Sequence, residues 1–133
     1  MIKVNELRIG NKLLLNNDVI CTINEIRYNF LRVTYLRKDV NREHTSLVEI
    51  YRFEPIPLTE EKLVKCGFEF KERVSGKIKE YRTDILSIFY NDNGIVSVNI
   101  GIQRIDDGKR IKHLHQLQNI CFALSGEELN IEL

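Results

Sequence analysis

One run near the C-terminus, Ile111 to Leu124, is the only long stretch in which apolar residues recur at helical spacing. At about 100° per residue, the side predicted to be buried carries four apolar residues and is edged by two more: Leu114, Leu117, Cys121 and Leu124, with Ile111 and Ile120 at the edges. The opposite side is polar: Lys112, His115, Gln116 and Asn119. Such a stripe has to lie on an apolar surface, which the strand-like segments of the chain can supply.

The end of this helix is predicted at Ser125 and Gly126, because glycine readily takes the left-handed conformation that follows many helices. Beyond it, polar and apolar residues alternate from Glu128 to Leu133. This alternation predicts a last strand that returns to a sheet.

The N-terminal part of the chain, from Leu7 to Phe53, is rich in β-branched residues and is divided by turn-forming residues. Strands are predicted at residues 12–15, 19–26, 30–36 and 45–50, with turns at 16–18 and 39–42. Four or five short strands joined by tight turns predict a small curved β-sheet or an SH3-like barrel.

Two prolines, Pro55 and Pro57, mark the clearest boundary, since they keep the chain extended. The predicted division is a β-rich lobe at residues 1–58 and an α+β lobe at residues 59–133, together forming one compact unit. A short helix is predicted to begin at the N-cap Thr59 and to end at Gly67, with Phe68 folding back on Leu63.

Two hairpins are predicted to follow this helix. The first joins strands at 68–73 and 77–82 through Ser75-Gly76, and the second joins strands at 83–90 and 95–102 through the turn at 91–94. One face of this sheet is predicted to be solvated, with Ser97, Asn99 and Gln103 on it. The predicted fold class is therefore α+β: an N-terminal curved sheet or SH3-like barrel packed against a C-terminal antiparallel sheet that one long helix covers.

Composition excludes several classes of protein. Twenty basic and nineteen acidic residues give a formal charge of +1, so the chain as a whole is no polyanion binder. Cys21, Cys66 and Cys121 lie apart among apolar neighbours, which predicts buried, reduced thiols in a cytoplasmic protein and no disulfide framework. The first ten residues lack the apolar core of a signal peptide, and no apolar run is long enough to span a membrane.

Three segments carry a resemblance: 7–11 (LRIGN), 55–61 (PIPLTEE) and 115–129, which contains HQLQN and FALSGEEL. With these segments the chain resembles a family of small uncharacterised proteins of gut anaerobes, often encoded near prophage or other mobile-element genes. The resemblance implies an accessory cytoplasmic protein of a mobile element. It implies no catalytic residue, because the family has no assigned activity. Typical members have an aromatic residue where this chain has Lys62 or Cys66, so the short helix is expected to pack differently.

The histidines are weak candidates for chemistry. His113 and His115 point about 200° apart on a helix, so they cannot share a metal on one face, and His44 has only Glu43 nearby. His115 is expected to be solvated and His113 to border the apolar stripe. We therefore predict no metal and no cofactor.

Three polar groups are candidate binding residues. The first is the polar side of the helix, Lys112, His115, Gln116 and Asn119, which suits either recognition of a partner or capping of nearby loops. The second is the basic cluster Arg104, Lys109, Arg110 and Lys112, which suits an anion unless Asp106 and Asp107 neutralise it. The third combines basic and aromatic residues and would suit single-stranded nucleic acid, although Arg32 and Tyr35 are predicted on opposite strand faces: Arg27, Arg32, Arg37, Lys38 and Arg42 with Tyr28, Phe30 and Tyr35.

Sequence motifs for catalysis are missing: there is no nucleophile elbow, phosphate loop, dinucleotide fingerprint or paired-histidine metalloprotease helix. The sequence therefore favours a non-enzymatic binding module that contacts a protein partner through an exposed sheet face or edge. The alternative is nucleic-acid binding through a local basic patch.

Overall fold

The computed structural model describes residues 2–107 and 110–132. The chain divides into two compact units, Met1–Ile56 and Pro57–Leu133. Within the described residues, each unit contains one five-stranded antiparallel sheet, and the second unit also contains two α-helices. The protein is therefore mostly β and belongs to the α+β class.

The first unit is a sheet whose strands are β1 (Lys12–Leu15), β2 (Val19–Arg27), β3 (Phe30–Arg37), β4 (Arg42–Glu49) and β5 (Phe53–Glu54). The strand order is β4-β3-β2-β1-β5. A 3-10 helical turn, Ile50–Arg52, leads from β4 into β5. The turn between β1 and β2 holds Asn16 and Asn17 at φ of 52° and 59°, a left-handed conformation that asparagine tolerates better than most residues.

Strand alternation builds the core of this unit. Leu13 of β1, Ile23 of β2, and Leu31 and Val33 of β3 are fully buried. Their neighbours in sequence on the other face are half-buried or exposed, as the period of two requires. The predicted strands at 12–15, 19–26 and 30–36 are confirmed within a residue, and β4 begins three residues earlier than predicted.

The described part of the second unit consists of α1 (Glu60–Lys65), β6 (Glu69–Ser75), β7 (Ile78–Arg82), β8 (Ser87–Asn91), β9 (Gly94–Ile100), β10 (Gln103–Asp106) and α2 (Leu114–Ser125). Its strands follow one another in space in the order β10-β9-β8-β7-β6.

Helix α1 has the predicted ends. The Thr59 hydroxyl oxygen accepts a hydrogen bond of 3.2 Å from the Lys62 amide, so Thr59 is the N-cap. At the other end, the amides of Gly67 and Phe68 donate to the carbonyls of Val64 and Leu63, both at 3.0 Å. This pair of bonds is the Schellman arrangement predicted for Gly67.

Helix α2 is shorter than predicted and is turned about its axis. It begins at Leu114, not Ile111, because His113 is its N-cap. Its buried residues are Leu114, His115, Leu117, Gln118 and Cys121. At about 100° per residue, the buried face is turned roughly 50° from the predicted one, toward His115 and Gln118.

The prediction that His115 is solvated is therefore wrong, and so is the prediction that Leu124 is buried. His115 is 1% exposed and its ring stacks on that of His113 at a centroid distance of 6.0 Å. The Gln118 amide donates to Glu128 at 3.4 Å. Gln118 can be buried because its amide has this hydrogen-bond partner, which apolar periodicity does not record.

Two strand predictions fail. Residues 128–132 form no strand, although the Glu132 amide donates to the Lys65 carbonyl at 3.1 Å. Residues 83–86 form a turn before β8, because the Thr83 hydroxyl oxygen accepts from the amides of Ile85 and Leu86. The face predicted to be solvated is also partly closed, since Ser87 and Ser97 are buried.

Candidate functional site

The polar residues at the start of α2 serve the fold. The Gln116 side-chain oxygen accepts hydrogen bonds from the amides of Lys112 and His113, at 2.8 and 3.0 Å. Lys112 is exposed, and its carbonyl accepts from the Leu58 amide at 3.1 Å. With His115 buried and Asn119 half-buried, the four residues predicted as one polar side do not share a surface.

The basic cluster that precedes α2 lies around an internal carboxylate. Asp106 is buried, and its two carboxylate oxygens accept from the amides of Arg110 and Ile111 at 3.4 and 3.2 Å. Arg104 and Arg110 are exposed, and Lys109 lies outside the described residues. Asp106 therefore occupies the backbone amides of Arg110 and Ile111 that were expected to bind an anion. These two residues also precede α2 and do not form its first turn.

Three arginines of the first unit are paired with acidic neighbours. Glu25 accepts from Arg27 at 2.6 Å and from Arg32 at 3.0 Å, and these two hydrogen bonds lower the pKa of its carboxyl group. Arg37 pairs with Asp39 at 2.5 Å.

The aromatic and basic residues of this region do not share one face of the sheet. Tyr35 stacks on His44 on one face, and Arg32 lies opposite Leu47 on the other. The predicted separation of Arg32 and Tyr35 is therefore confirmed. Tyr28, in the β2–β3 turn, is 91% exposed.

Strand β4 forms an open, regular edge of the first sheet. All eight of its residues pair with β3 in one register, from Phe30↔Glu49 to Arg37↔Arg42, without a shift. Within residues 2–107 and 110–132, no other strand pairs with it. One side of the β4 backbone therefore has no partner strand in the described part of the chain.

Antiparallel geometry shows which backbone groups point away from β3. The Ile50 amide donates to the Asn29 carbonyl at 2.8 Å. Asn29 and Ile50, which continue the β3–β4 register by one step, are therefore a hydrogen-bonded pair. Such pairs alternate with pairs that are not hydrogen-bonded. The residues whose N–H and C=O point outward are therefore Glu43, Thr45, Leu47 and Glu49.

The side chains of these same four residues are exposed. Thr45 ends a row of directly paired residues that crosses the sheet: Lys12↔Thr22, Thr22↔Thr34 and Thr34↔Thr45. Hydrogen bonds link neighbours along this row, from the Lys12 ammonium group to Thr22 at 2.7 Å and between the hydroxyls of Thr34 and Thr45 at 3.2 Å. Asn24 also donates to Thr34. We call the outward backbone of β4 together with these four side chains the β4 edge.

The other edges differ from the β4 edge. Strand β6 is exposed along its length, but its pairing with β7 shifts register twice, and four of its seven residues are charged. Bulges and charges of this kind protect an edge against pairing. Strand β10 has four residues with a register shift, and β5 has only two residues. Among the strands that the structure describes, β4 thus offers the longest unshifted edge.

A polar cluster lies between α1 and β7 in the second unit. Glu60 accepts from the Tyr81 hydroxyl at 2.8 Å and from the Lys79 ammonium group at 3.2 Å. Tyr81 lowers the pKa of the Glu60 carboxyl most, and Lys79 lowers it further. In turn, burial and the bond to Glu60 raise the pKa of Tyr81 to about 12. The cluster joins α1 to the sheet and leaves its acidic group charged at neutral pH.

The second unit also has an open polar cavity of about 480 Å³, lined by Gly67, Glu69, Lys71, Arg82, Thr83 and Asp84. The positive charges of Lys71 and Arg82 are balanced by the negative charges of Glu69 and Asp84. Lys71 and Arg82 also each form an ion pair with a glutamate. The cavity therefore has no net charge that would select an ion.

The three cysteines are free and buried, as predicted. Burial raises the pKa of Cys21 to about 12, that of Cys66 to about 12 and that of Cys121 to about 11. These thiols are protonated at neutral pH and are poor nucleophiles. No cluster of three or more His, Cys, Asp or Glu residues in the described ranges has a geometry that would hold a metal ion.

Sequence reasoning missed the β4 edge as a specific site, although it predicted a strand at 45–50 and a role for sheet edges. The missing information is the pairing order, because a strand's sequence does not say whether it lies at an edge. The one available signal is the uncharged run from His44 to Val48, because the charged residues of β4 lie at its ends, whereas those of β6 lie along most of its length.

Comparison with protein-family models, curated proteins and solved structures gives no match to this chain. No helix in the described ranges is long and apolar enough to cross a membrane.

Proposed function

We propose that the protein is a non-enzymatic binding module that takes up an extended segment of a partner protein as an additional strand on the β4 edge. The observation that carries this proposal is the unshifted eight-residue register of β4, with four outward pairs of N–H and C=O groups. An added strand satisfies these groups with main-chain hydrogen bonds, and alternate side chains supply specificity.

The strand order β4-β3-β2-β1-β5 and the 3-10 turn before β5 support an SH3-like barrel as the scaffold that holds this edge. Three buried, free cysteines favour a reducing compartment, so we place the protein in the cytoplasm. The resemblance carried by LRIGN, PIPLTEE and FALSGEEL supports an accessory role in a mobile element.

Amide hydrogen exchange tests the open edge directly. We expect the amides of His44, Ser46 and Val48 to exchange slowly, because they are bonded to β3. The outward amides, including that of Thr45, should exchange quickly in the free protein. Uniformly slow exchange along β4 would show that another part of the chain covers the edge.

Proline substitution tests binding at this edge. Thr45→Pro removes one outward N–H and no β3 bond, so the fold should be retained, since proline is tolerated where the N–H of an edge strand faces solvent. Ser46→Pro removes a ladder bond and should destabilise the unit by about 3 kcal/mol. Thr45→Val keeps the N–H and is the matched control for loss of the hydroxyl.

The binding assay is an NMR titration with a panel of blocked eight-residue peptides that have high strand propensity and differ in charge. At least one peptide should bind the wild type and Thr45→Val and protect the outward amides, and Thr45→Pro should not bind it. If no peptide binds, or if Thr45→Pro binds as well as the wild type, strand addition at β4 is wrong.

Nucleic-acid binding is a second candidate because Tyr28, which follows Arg27 in the chain, is almost fully exposed and could stack on a base. The ion pairs of Arg27, Arg32 and Arg37 weigh against it. Anisotropy titration with single-stranded oligonucleotides at about 50 and 200 mM salt distinguishes the two functions, because phosphate contacts weaken steeply over that range. Tyr28→Ala should abolish such binding and leave peptide binding unchanged.

A further inference from the structure

The side chains along the β4 edge have an order that restricts which segment can pair with it. The exposed residues at the outward-bonding positions of β4 are, in order, an acid, a hydroxyl, an apolar residue and an acid: Glu43, Thr45, Leu47 and Glu49. Each of these residues also carries outward backbone groups. A partner residue that bonds to that backbone therefore lies directly beside the corresponding side chain.

The two acids at the ends have no cationic partner in the described part of the chain. Neither Glu43 nor Glu49 forms an ion pair there, and Glu49 accepts a hydrogen bond from the Tyr51 hydroxyl, which raises the pKa of that tyrosine. By contrast, Glu25 on the same sheet is bound by two arginines. The charges of Glu43 and Glu49 are thus available to a cation on an incoming strand.

The middle of the edge is uncharged. Leu47 is 41% exposed, and Phe30, which pairs with Glu49 on the same face, is 40% exposed. Together they offer apolar area that an aliphatic side chain of the partner would cover. Thr45 ends the row of paired residues that begins at Lys12, and its hydroxyl is bonded to that of Thr34. A hydroxyl residue beside Thr45 would extend that row by one strand.

Resting on the function proposed above, we infer that the partner is a basic segment with alternating residues, and that it pairs antiparallel to β4. It carries Lys or Arg beside both acids, an aliphatic residue beside Leu47, and Ser or Thr beside Thr45. Opposite charges on directly paired residues stabilise a sheet, and like charges destabilise it.

A second copy of this chain fits the edge less well. Only registers that align outward residues with outward residues make hydrogen bonds. Of the two such antiparallel registers with the longest overlap, one sets Glu43 beside Glu49 of the second copy. The other sets Glu43 beside Leu47. The first register places two like charges side by side, and the second places a charge beside an apolar residue. A partner of different sequence is therefore favoured.

The test uses three blocked peptides that differ only at the first and seventh positions, which hold lysine, glutamine or glutamate. All three have isoleucine at the third position and threonine at the fifth. We expect the lysine peptide to bind the full chain about fivefold more tightly than the glutamine peptide, the gain of two cross-strand ion pairs of ordinary strength. The glutamate peptide should bind more weakly than both, and these differences should shrink as salt rises.

Charge exchange supplies the matched control. The double variant Glu43→Lys with Glu49→Lys should reverse the order of the three peptides, and Thr45→Pro should remove binding of all of them. Equal binding of the three peptides, still lost in Thr45→Pro, would overturn the basic partner and leave strand addition standing. Binding that Thr45→Pro does not weaken would overturn both.

Self-association is the remaining outcome. Dimerisation of the free chain at the titration concentrations, measured by sedimentation and lost in Thr45→Pro, would show that the edge binds a second copy and would overturn the basic partner.

Discussion

Only 5% of the Tyr81 surface is exposed, and the Tyr81 hydroxyl donates a hydrogen bond to a carboxylate on α1. A buried hydroxyl needs such a partner, because leaving it unbonded costs more than the bond itself contributes. The partner, Glu60, stands in the first turn of α1, where negative charge is also favoured by the amide groups. One carboxylate thus serves both the helix start and the sheet.

We expect Tyr81→Phe to lower the free energy of unfolding by about 1 kcal/mol at pH 7, the usual net value of such a hydrogen bond. Tyr90→Phe is the control, since Tyr90 is half-buried on the neighbouring strand and makes no hydrogen bond to Glu60 in the described structure. Urea unfolding of both variants measures the difference. Equal losses would assign the effect to packing instead of the hydrogen bond.

Acid should remove the contribution of Glu60. Its pKa is lower in the folded chain than the ordinary value of 4.5, so the unfolded chain takes up the proton first as pH falls. The stability difference between the wild type and Glu60→Gln should therefore be full above about pH 5 and should shrink as pH falls below 4.5. A difference that stays constant down to pH 3 would contradict the assigned bond.

Among the elements, most turns and strands could be predicted from the sequence, whereas β10 and the orientation of α2 could not. Thr59, Gly67 and the asparagine turns act through bonds within a few residues, so their sequence contains the cause. The burial of Gln118 depends on Glu128, ten residues away, and that of His115 accompanies its stacking on His113. Periodicity counts apolar side chains and assigns such polar residues to the wrong face.

The orientation of α2 can be tested with two leucines. Leu117 is fully buried and Leu124 is 43% exposed, although the sequence predicted both in one stripe. Leu117→Asp places an unpaired charge in the core and should cost at least about 3 kcal/mol, whereas Leu124→Asp should cost under about 0.5 kcal/mol. Thermal melts compare the two variants. Similar melting temperatures would mean that the helix presents a different face.

Gly67 permits a test of backbone conformation alone. Its φ is +87°, and a Cβ built there would have no atom within 4 Å. Gly67→Ala should therefore cost about 1 kcal/mol through the left-handed conformation and not through a clash. Gly67→Asn should cost less, because asparagine tolerates that region. Chemical denaturation that ranks alanine as the milder change would contradict this account.

For the whole molecule, buried thiols connect stability to alkaline pH. The pKa values of Cys21, Cys66 and Cys121 are about 12, 12 and 11 in the folded chain, above the ordinary 9.0. Because these pKa values are raised, the thiols lose their protons at a higher pH in the folded state than in the unfolded state. The stability from burying neutral thiols is thus fully present below pH 9 and is lost above it.

We expect unfolding free energy to fall by about 4 kcal/mol between pH 8 and pH 10, from three thiols at about 1.4 kcal/mol each. The variant with all three cysteines replaced by alanine should lack this component of the slope, whatever its stability at pH 7. Denaturant titrations at each pH provide the measurement. Parallel slopes for the two proteins would show that the thiols ionise equally in both states.

The order of strands in the two sheets also sets how quickly the protein is expected to reach its native state. In β4-β3-β2-β1-β5 and in β10-β9-β8-β7-β6, every pairing except that of β1 with β5 joins strands adjacent in sequence. Such pairings close short loops, and chains with local contacts fold faster than chains that depend on distant ones. The exception joins Leu14 to Glu54. We therefore expect hairpins to form first and the β1–β5 pairing to complete the first unit last. In a nascent chain, three of the four pairings of the first unit can then form before Phe53 is in place.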